Sequence, residues 1–178
     1  VMGTVSSALL VGINTLTATQ IAKNEEIRLK SSVLDALEIP YQKESILDLF
    51  DANIQVLEKD KKKFYTGPDK AVAFEFSGSG LWGPIKGIAS VNSDLKTIRT
   101  LKILHQEETP GLGARIAEKE FLGQFKNKEF IPKLIFVPQG KARSNNEVDA
   151  ITGATGTSKA LEKLLNETIE KNIGILKG

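Results

Sequence analysis

The stretch "AVAFEFSGSGLWGPIKGIASVNSDLKTIRTLKIL", Ala71 to Leu104, decides the fold class. Its first six residues, "AVAFEF" (Ala71–Phe76), alternate as a strand does, with successive side chains on opposite faces. A glycine-punctuated segment, "SGSGLWGPIKG", follows. Then "IASV" and "TIRTLKIL" (Thr97–Leu104), separated by "NSDLK", read as a hairpin with an Asn-Ser-Asp turn. Downstream, "ETPGLGARI" is a turn at Pro110-Gly111 leading into a helical segment at Ala114–Phe125, and "KLIFV" (Lys133–Val137) is a further strand. A last helix is expected from about Thr157 to Ile173, with Leu161, Leu164, Leu165, Thr168 and Ile169 on one face. Strands followed by helices, rather than strict alternation, predict an α+β fold: an antiparallel sheet with packed helices.

Upstream of that block the pattern is helical. Asn24–Leu37 has a partial apolar stripe of Ile27, Val33, Leu34 and Leu37 and is stopped by Pro40. Ser45–Leu57 has room for a second short helix, and "KDKKKF" (Lys59–Phe64) reads as a solvated loop. Val1–Ala22 contains no charged residue, and a helix of roughly 20 such residues is long enough to cross a bilayer. A buried core helix is the alternative; a signal peptide would carry a basic start, which is absent here. The expected organisation is therefore a transmembrane helix at 1–22, a helical connector at 23–66 and a folded domain at 67–178.

Composition narrows the chemistry. The 178 residues include no cysteine, which excludes disulfides, thiolate metal sites and iron–sulfur ligation within the chain. The one histidine, His105, cannot form a histidine-rich metal site and reads as a strand-end surface residue. A net charge of +2 gives no nucleic-acid footprint. Redox chemistry would have to come from a bound organic cofactor, because no set of side chains here supplies it.

Three glycine-rich patches stand out. In "VDAITGATGTSKALEKLL" (Val148–Leu165), hydroxyl and small residues crowd the start of the last helix. That position has two readings: ordinary capping by Thr157 or Ser158, or an anion site at the unpaired amides, with the Thr155 hydroxyl beside it. No Walker lysine stands at the right spacing for a phosphate loop. The second patch, "HQEETPGLGARI" (His105–Ile116), has more glycine than one turn needs around Leu112. In the third, "GSGLWGPIKG", the only tryptophan, Trp82, is either a core plug or the wall of a ligand site.

These residues resemble a known family: the membrane-anchored subunit that carries covalent FMN in the Rnf complex and in the sodium-translocating NADH:quinone reductase. The attachment motif stands here as "DAITGAT" (Asp149–Thr155), the second signature, "ETPGLG", is intact at Glu108–Gly113, and a weaker third appears as "GLWGPIKG". The resemblance covers roughly Ala71 to the C-terminus. Thr152 lies within the family's range, and Phe121 stands where relatives often have Trp.

The resemblance implies FMN held through a phosphoester to Thr155, made by a separate flavin transferase that reads Asp149. Thr157 is the competing acceptor. Trp82, Thr109 and Leu112 would contact the flavin ring, with Glu108 orienting the turn, and Gly111, Gly113, Thr152, Gly153 and Ala154 would complete the site. Lys86 and Arg115 would either neutralise reduced flavin or be solvated. It implies an electron-carrying subunit that catalyses nothing alone, working with the other subunits of an ion-translocating complex of the inner membrane. It would have a single span and an FMN domain on the extracytoplasmic side, and the Rnf type is slightly favoured. A free-standing extracytoplasmic flavoprotein reductase and a non-redox, membrane-anchored binding module are the alternative expectations.

Overall fold

The structure, a computed structural model, describes residues 20–178. The expected transmembrane segment therefore lies almost wholly outside the described residues. Among those, no helix is long and apolar enough to cross a membrane.

A five-stranded antiparallel sheet in the order β1-β2-β3-β4-β5 forms the centre. Its strands are β1 (Gln55–Lys59), β2 (Lys62–Thr66), β3 (Val72–Ser79), β4 (Pro84–Val91) and β5 (Ile98–His105). Alternation along the strands feeds two cores, one on each face. Phe64, Phe74 and Phe76 pack with Phe125, Leu161 and Leu165. Tyr65, Ala73 and Ile88 face the other way and pack with Val33, Leu34, Leu37 and Phe50. The first face is covered by α3 (Lys119–Gly123) and the long α4 (Thr155–Lys177), the second by α1 (20–36) and α2 (Ile46–Asn53). A small parallel pair, β6 (Ile135–Val137) and β7 (Glu147–Asp149), sits beside α4. The α+β expectation and the β4–β5 hairpin are both found.

The stretch 23–66 is not simply a helical connector. It carries α1 and α2, but also two strands of the sheet. The lysine run expected to be a loop is a hairpin: its turn residues, Asp60 and Lys61, both have positive φ, 52° and 59°. That geometry suits a tight two-residue turn, which is usually built from Asn and Gly. The helical segment expected at Ala114–Phe125 is split into a 3-10 turn (Gly113–Ala117) and α3.

Helix α1 runs antiparallel to β5. Arg28 donates to the Leu104 carbonyl at 2.7 Å midway along it, and Asp35 pairs with Lys102 near its end. At its end the buried Ser90 hydroxyl donates to the Ala36 carbonyl at 2.6 Å. The helix closes with Ile39 N–H donating to Leu34 and with Glu38 at φ 56°, a left-handed stop that usually takes glycine. Glu38 is held there by charge: Arg99 and Lys126 reach its two oxygens at 3.2 and 2.6 Å, and Arg99 also pairs with Asp69. Lys126 first, then Arg99, draws the Glu38 carboxyl below its ordinary value, and Arg99 does the same for Asp69.

A chain beginning at Gly67 should fail to fold, because without Tyr65, Val33, Leu34 and Phe50 one face of the sheet is bare; a chain beginning at Gln20 should melt cooperatively by circular dichroism. With depressed folded values, Glu38 and Asp69 add stability that is complete above the ordinary 4.5 and 3.8 and is lost as pH falls through the folded values. Melting temperature should therefore fall below about pH 4.5, less steeply in Glu38→Gln, with a small amplitude because both groups are partly solvated.

Candidate functional site

The three glycine-rich patches meet at one end of the sheet. The β3–β4 hairpin loop closes with Gly80 N–H donating to the Gly83 carbonyl at 2.8 Å, which presents Leu81 and Trp82. The segment after β5 turns at Pro110-Gly111, where the Thr109 carbonyl accepts from the amides of both Leu112 and Ala114. The third patch is the start of α4. A Cβ on Gly156 would stand 2.8 Å from Leu81 Cδ2, and one on Gly153 would stand 3.2 Å from Leu112 Cδ2. The two leucines thus lie over glycines that flank Thr155. Gly153 also has φ 80°, a conformation side chains disfavour.

The start of α4 settles the capping question. The helix begins at Thr155, not Thr157, and Ala154 is its N-cap with no side-chain cap. Neither Thr157 nor Ser158 caps it. Ser158 accepts from Ile151 N–H at 3.1 Å and donates to the Ala154 carbonyl at 3.0 Å. Thr157, 1% exposed, donates its hydroxyl to Glu108 Oε2 at 2.5 Å. Thr155 is exposed, and its hydroxyl has no partner among the described residues. The amides of Thr155, Gly156 and Thr157 likewise have no acceptor there. Three free N–H groups at a helix start, beside a free hydroxyl, favour an anion.

Trp82 is 73% exposed and Leu112 45% exposed, so neither is a core plug, and Leu112 is not buried as an isolated leucine would be. Leu81, also largely exposed, belongs with them, although sequence reasoning passed over it; its place beside Trp82 in "GLWG" was the signal that pointed to it. Thr109 and Gly111 are exposed at the turn, while Gly113 and Ala154 are buried beneath it. Thr152 donates to Gln139 at 2.5 Å on the rim of an open groove of about 320 Å³, which Thr155, Lys159 and Phe136 also line.

Asp149 is turned away from the helix start. Its Oδ1 accepts from the amides of Ala142 and Lys141 at 2.9 and 3.0 Å, and these bonds, Ala142 first, hold its carboxyl below the ordinary value. Lys86 is exposed on β4, Arg115 pairs with Glu118, and His105 ends β5 exposed, 3.1 Å from Glu107. None of these three makes a hydrogen bond or ion pair with Thr155.

The arrangement fits a phosphate-bearing planar ligand: free amides for the anion, a hydroxyl beside them, and apolar side chains standing over glycines. The chain is similar to known proteins. One subunit of the proton-translocating ferredoxin:NAD(+) oxidoreductase complex of Clostridium ljungdahlii is 36% identical over 62% of this chain and 60% of its own length. One subunit of the ion-translocating oxidoreductase complex of Methanosarcina acetivorans is 32% identical over 60% of this chain and 56% of its own length. The chain thus spans under two thirds of these relatives. The crystal structure of one subunit of the Na(+)-translocating NADH-quinone reductase of Parabacteroides distasonis matches the fold with a TM-score of 0.77 at 23% identity, covering 90% of this chain and 97% of that one. The FMN-binding domain model matches residues 80–170, just over half of the chain, and that span takes in the Trp82 loop, the "ETPGLG" turn and the start of α4. The chain belongs to the FMN-binding domain family.

Proposed function

We propose that the chain carries FMN through a phosphoester on Thr155 and relays electrons within an ion-translocating membrane oxidoreductase complex, of the ferredoxin:NAD(+) type named for the first of the relatives above. The observation that carries this reading is the unequal state of the two candidate hydroxyls: Thr155 is open beside three free amides, whereas Thr157 is buried and spent on Glu108. FMN, when bound, takes up and releases electrons. The chain's own residues do the rest. The Thr155 hydroxyl supplies the oxygen of the ester. The free amides and the positive end of α4 hold the phosphodiester's remaining charge, typically a 0.3–1 kcal/mol effect at an exposed helix start. Leu81, Trp82 and Leu112 offer apolar surface to the ring, and the Thr109 turn offers backbone groups to its polar edge.

A flavin transferase would make the ester. Asp149 supports its recognition indirectly in this reading, by shaping the 140–142 loop beside the motif. The uncharged Val1–Ala22 run would anchor the chain by a single span, with the domain on the extracytoplasmic side.

Coexpression with a flavin transferase should raise the intact mass by FMN less water, on the order of 440 Da. Thr155→Val should abolish the increment and Thr157→Val should keep it; an adduct retained on the first variant sinks the assignment. Trp82→Ala should barely change thermal stability, since exposed substitutions usually stay within about 0.5 kcal/mol, yet raise flavin fluorescence, because a stacked indole quenches it. Leu112→Ala should shift the flavin potentials by admitting water to the ring. Parent-like fluorescence and potentials in both variants would place the ring elsewhere.

A further inference from the structure

Glu108 is 4% exposed, and no part of an electron carrier's chemistry calls for a buried carboxylate at this position. Its carboxylate accepts three hydrogen bonds. The amides of Leu81 and Trp82 donate to Oε1 at 2.8 and 3.1 Å, and the Thr157 hydroxyl donates to Oε2 at 2.5 Å. Its own amide donates to Gln106 Oε1 at 2.7 Å, which fixes the backbone from which it reaches. The seat is tight: a Cβ on Gly80 would collide with Oε1, and one on Gly113 would stand 2.9 Å from Oε2. One side chain therefore joins all three glycine-rich patches, and its two oxygens serve different elements. Oε1 holds the hairpin loop that presents Trp82. Oε2 holds the first turn of α4, which presents Thr155.

We infer that Glu108 is a positioning residue for the flavin site: its carboxylate clasps the Trp82 loop to the start of α4, and so sets the spacing between the ring-facing side chains and the attachment hydroxyl. The inference rests on the FMN reading above. Apart from its own Gly80–Gly83 closure and the packing of Leu81 over Gly156, the loop stands largely in water. Without the carboxylate, two loop amides would lose their acceptor and the Thr157 hydroxyl would be buried unpaired, each a costly state. Glutamine can replace the clasp: its oxygen accepts from the loop amides while its NH2 donates to the Thr157 oxygen. Spacing, rather than charge, is thus what Glu108 contributes.

The test uses the full chain, with and without attached FMN, as parent, Glu108→Ala, Glu108→Gln and Thr157→Val. In the FMN-free chain, amide exchange at Leu81 and Trp82 should quicken by about tenfold or more in Glu108→Ala, with β3 and β4 unchanged, and return to near the parent rate in Glu108→Gln. In the loaded chain, flavin fluorescence should rise in Glu108→Ala and Thr157→Val and be restored in Glu108→Gln. If Glu108→Ala does not fold, Thr157→Val alone decides, because it cuts the helix side and leaves the carboxylate in place. Parent-like fluorescence in the loaded variants overturns the inference. So does faster exchange throughout the sheet that Glu108→Gln fails to rescue, since that describes a general core residue. A parent chain that gains no FMN mass refutes the flavin reading instead, and the loop exchange rates then judge the clasp by themselves.

Discussion

Burial of β3 and β4 on both faces is the constraint on which the rest of the structure depends. A strand with one wet face needs helices on one side only. Here Phe74 and Phe76 point to one core while Ala73 and Ile88 point to the other, so both layers must be covered. That requirement brings α1 and α2 into the domain as firmly as α4. The β3–β4 hairpin and the end of β5 leave the sheet at the same end, where the start of α4 meets them. Sheet order makes the β3–β4 loop and the segment after β5 neighbours, and the packing of α4 on the same sheet brings its first turn to them.

Electrostatics at that end rests on a helix start with no side-chain cap. The hydroxyls of Thr157 and Ser158 lie within the first turn of α4 and point inward, Thr157 to Glu108 and Ser158 to the backbone of Ile151 and Ala154. The N-cap itself is Ala154, with no side-chain oxygen, so the amides of Thr155, Gly156 and Thr157 stay free to meet a ligand. Hydroxyl-rich sequence at a helix start is usually a sign of self-satisfaction; here it goes with an unsatisfied end.

Much of this was legible in the sequence, and the failures have physical causes. "AVAFEF" and the β4–β5 hairpin announced themselves by alternation and an Asn-Ser-Asp turn, whereas the pairing of Ser77–Ser79 with Pro84–Lys86 was hidden by the glycines of that segment. The β1–β2 hairpin did not, because its turn uses Asp60 and Lys61 at positive φ inside a lysine run, where no glycine marks it. Strand β7 is three residues long with acidic ends, too short for a period to show. At the site, the motifs pointed to Thr155, Trp82 and Leu112. That the Thr157 hydroxyl is spent on Glu108, 49 residues away, is a distinction from Thr155 that no local pattern shows. That Trp82 is no core plug was likewise not readable before its exposure was known.

The first turn of a helix ordinarily frays, its amides exchanging between helical and open forms. In α4 that turn is stitched down at two points, by Ser158 to the preceding loop and by Thr157 to Glu108, and it continues into a helix whose inner face lies in the main core. A group tethered at Thr155 would inherit that stillness. Electron tunnelling falls off exponentially with distance, so its rate is sensitive to jitter at the point of attachment. On the flavin reading proposed above, a first turn held at two points would narrow the spread of donor–acceptor distances and make successive transfers alike.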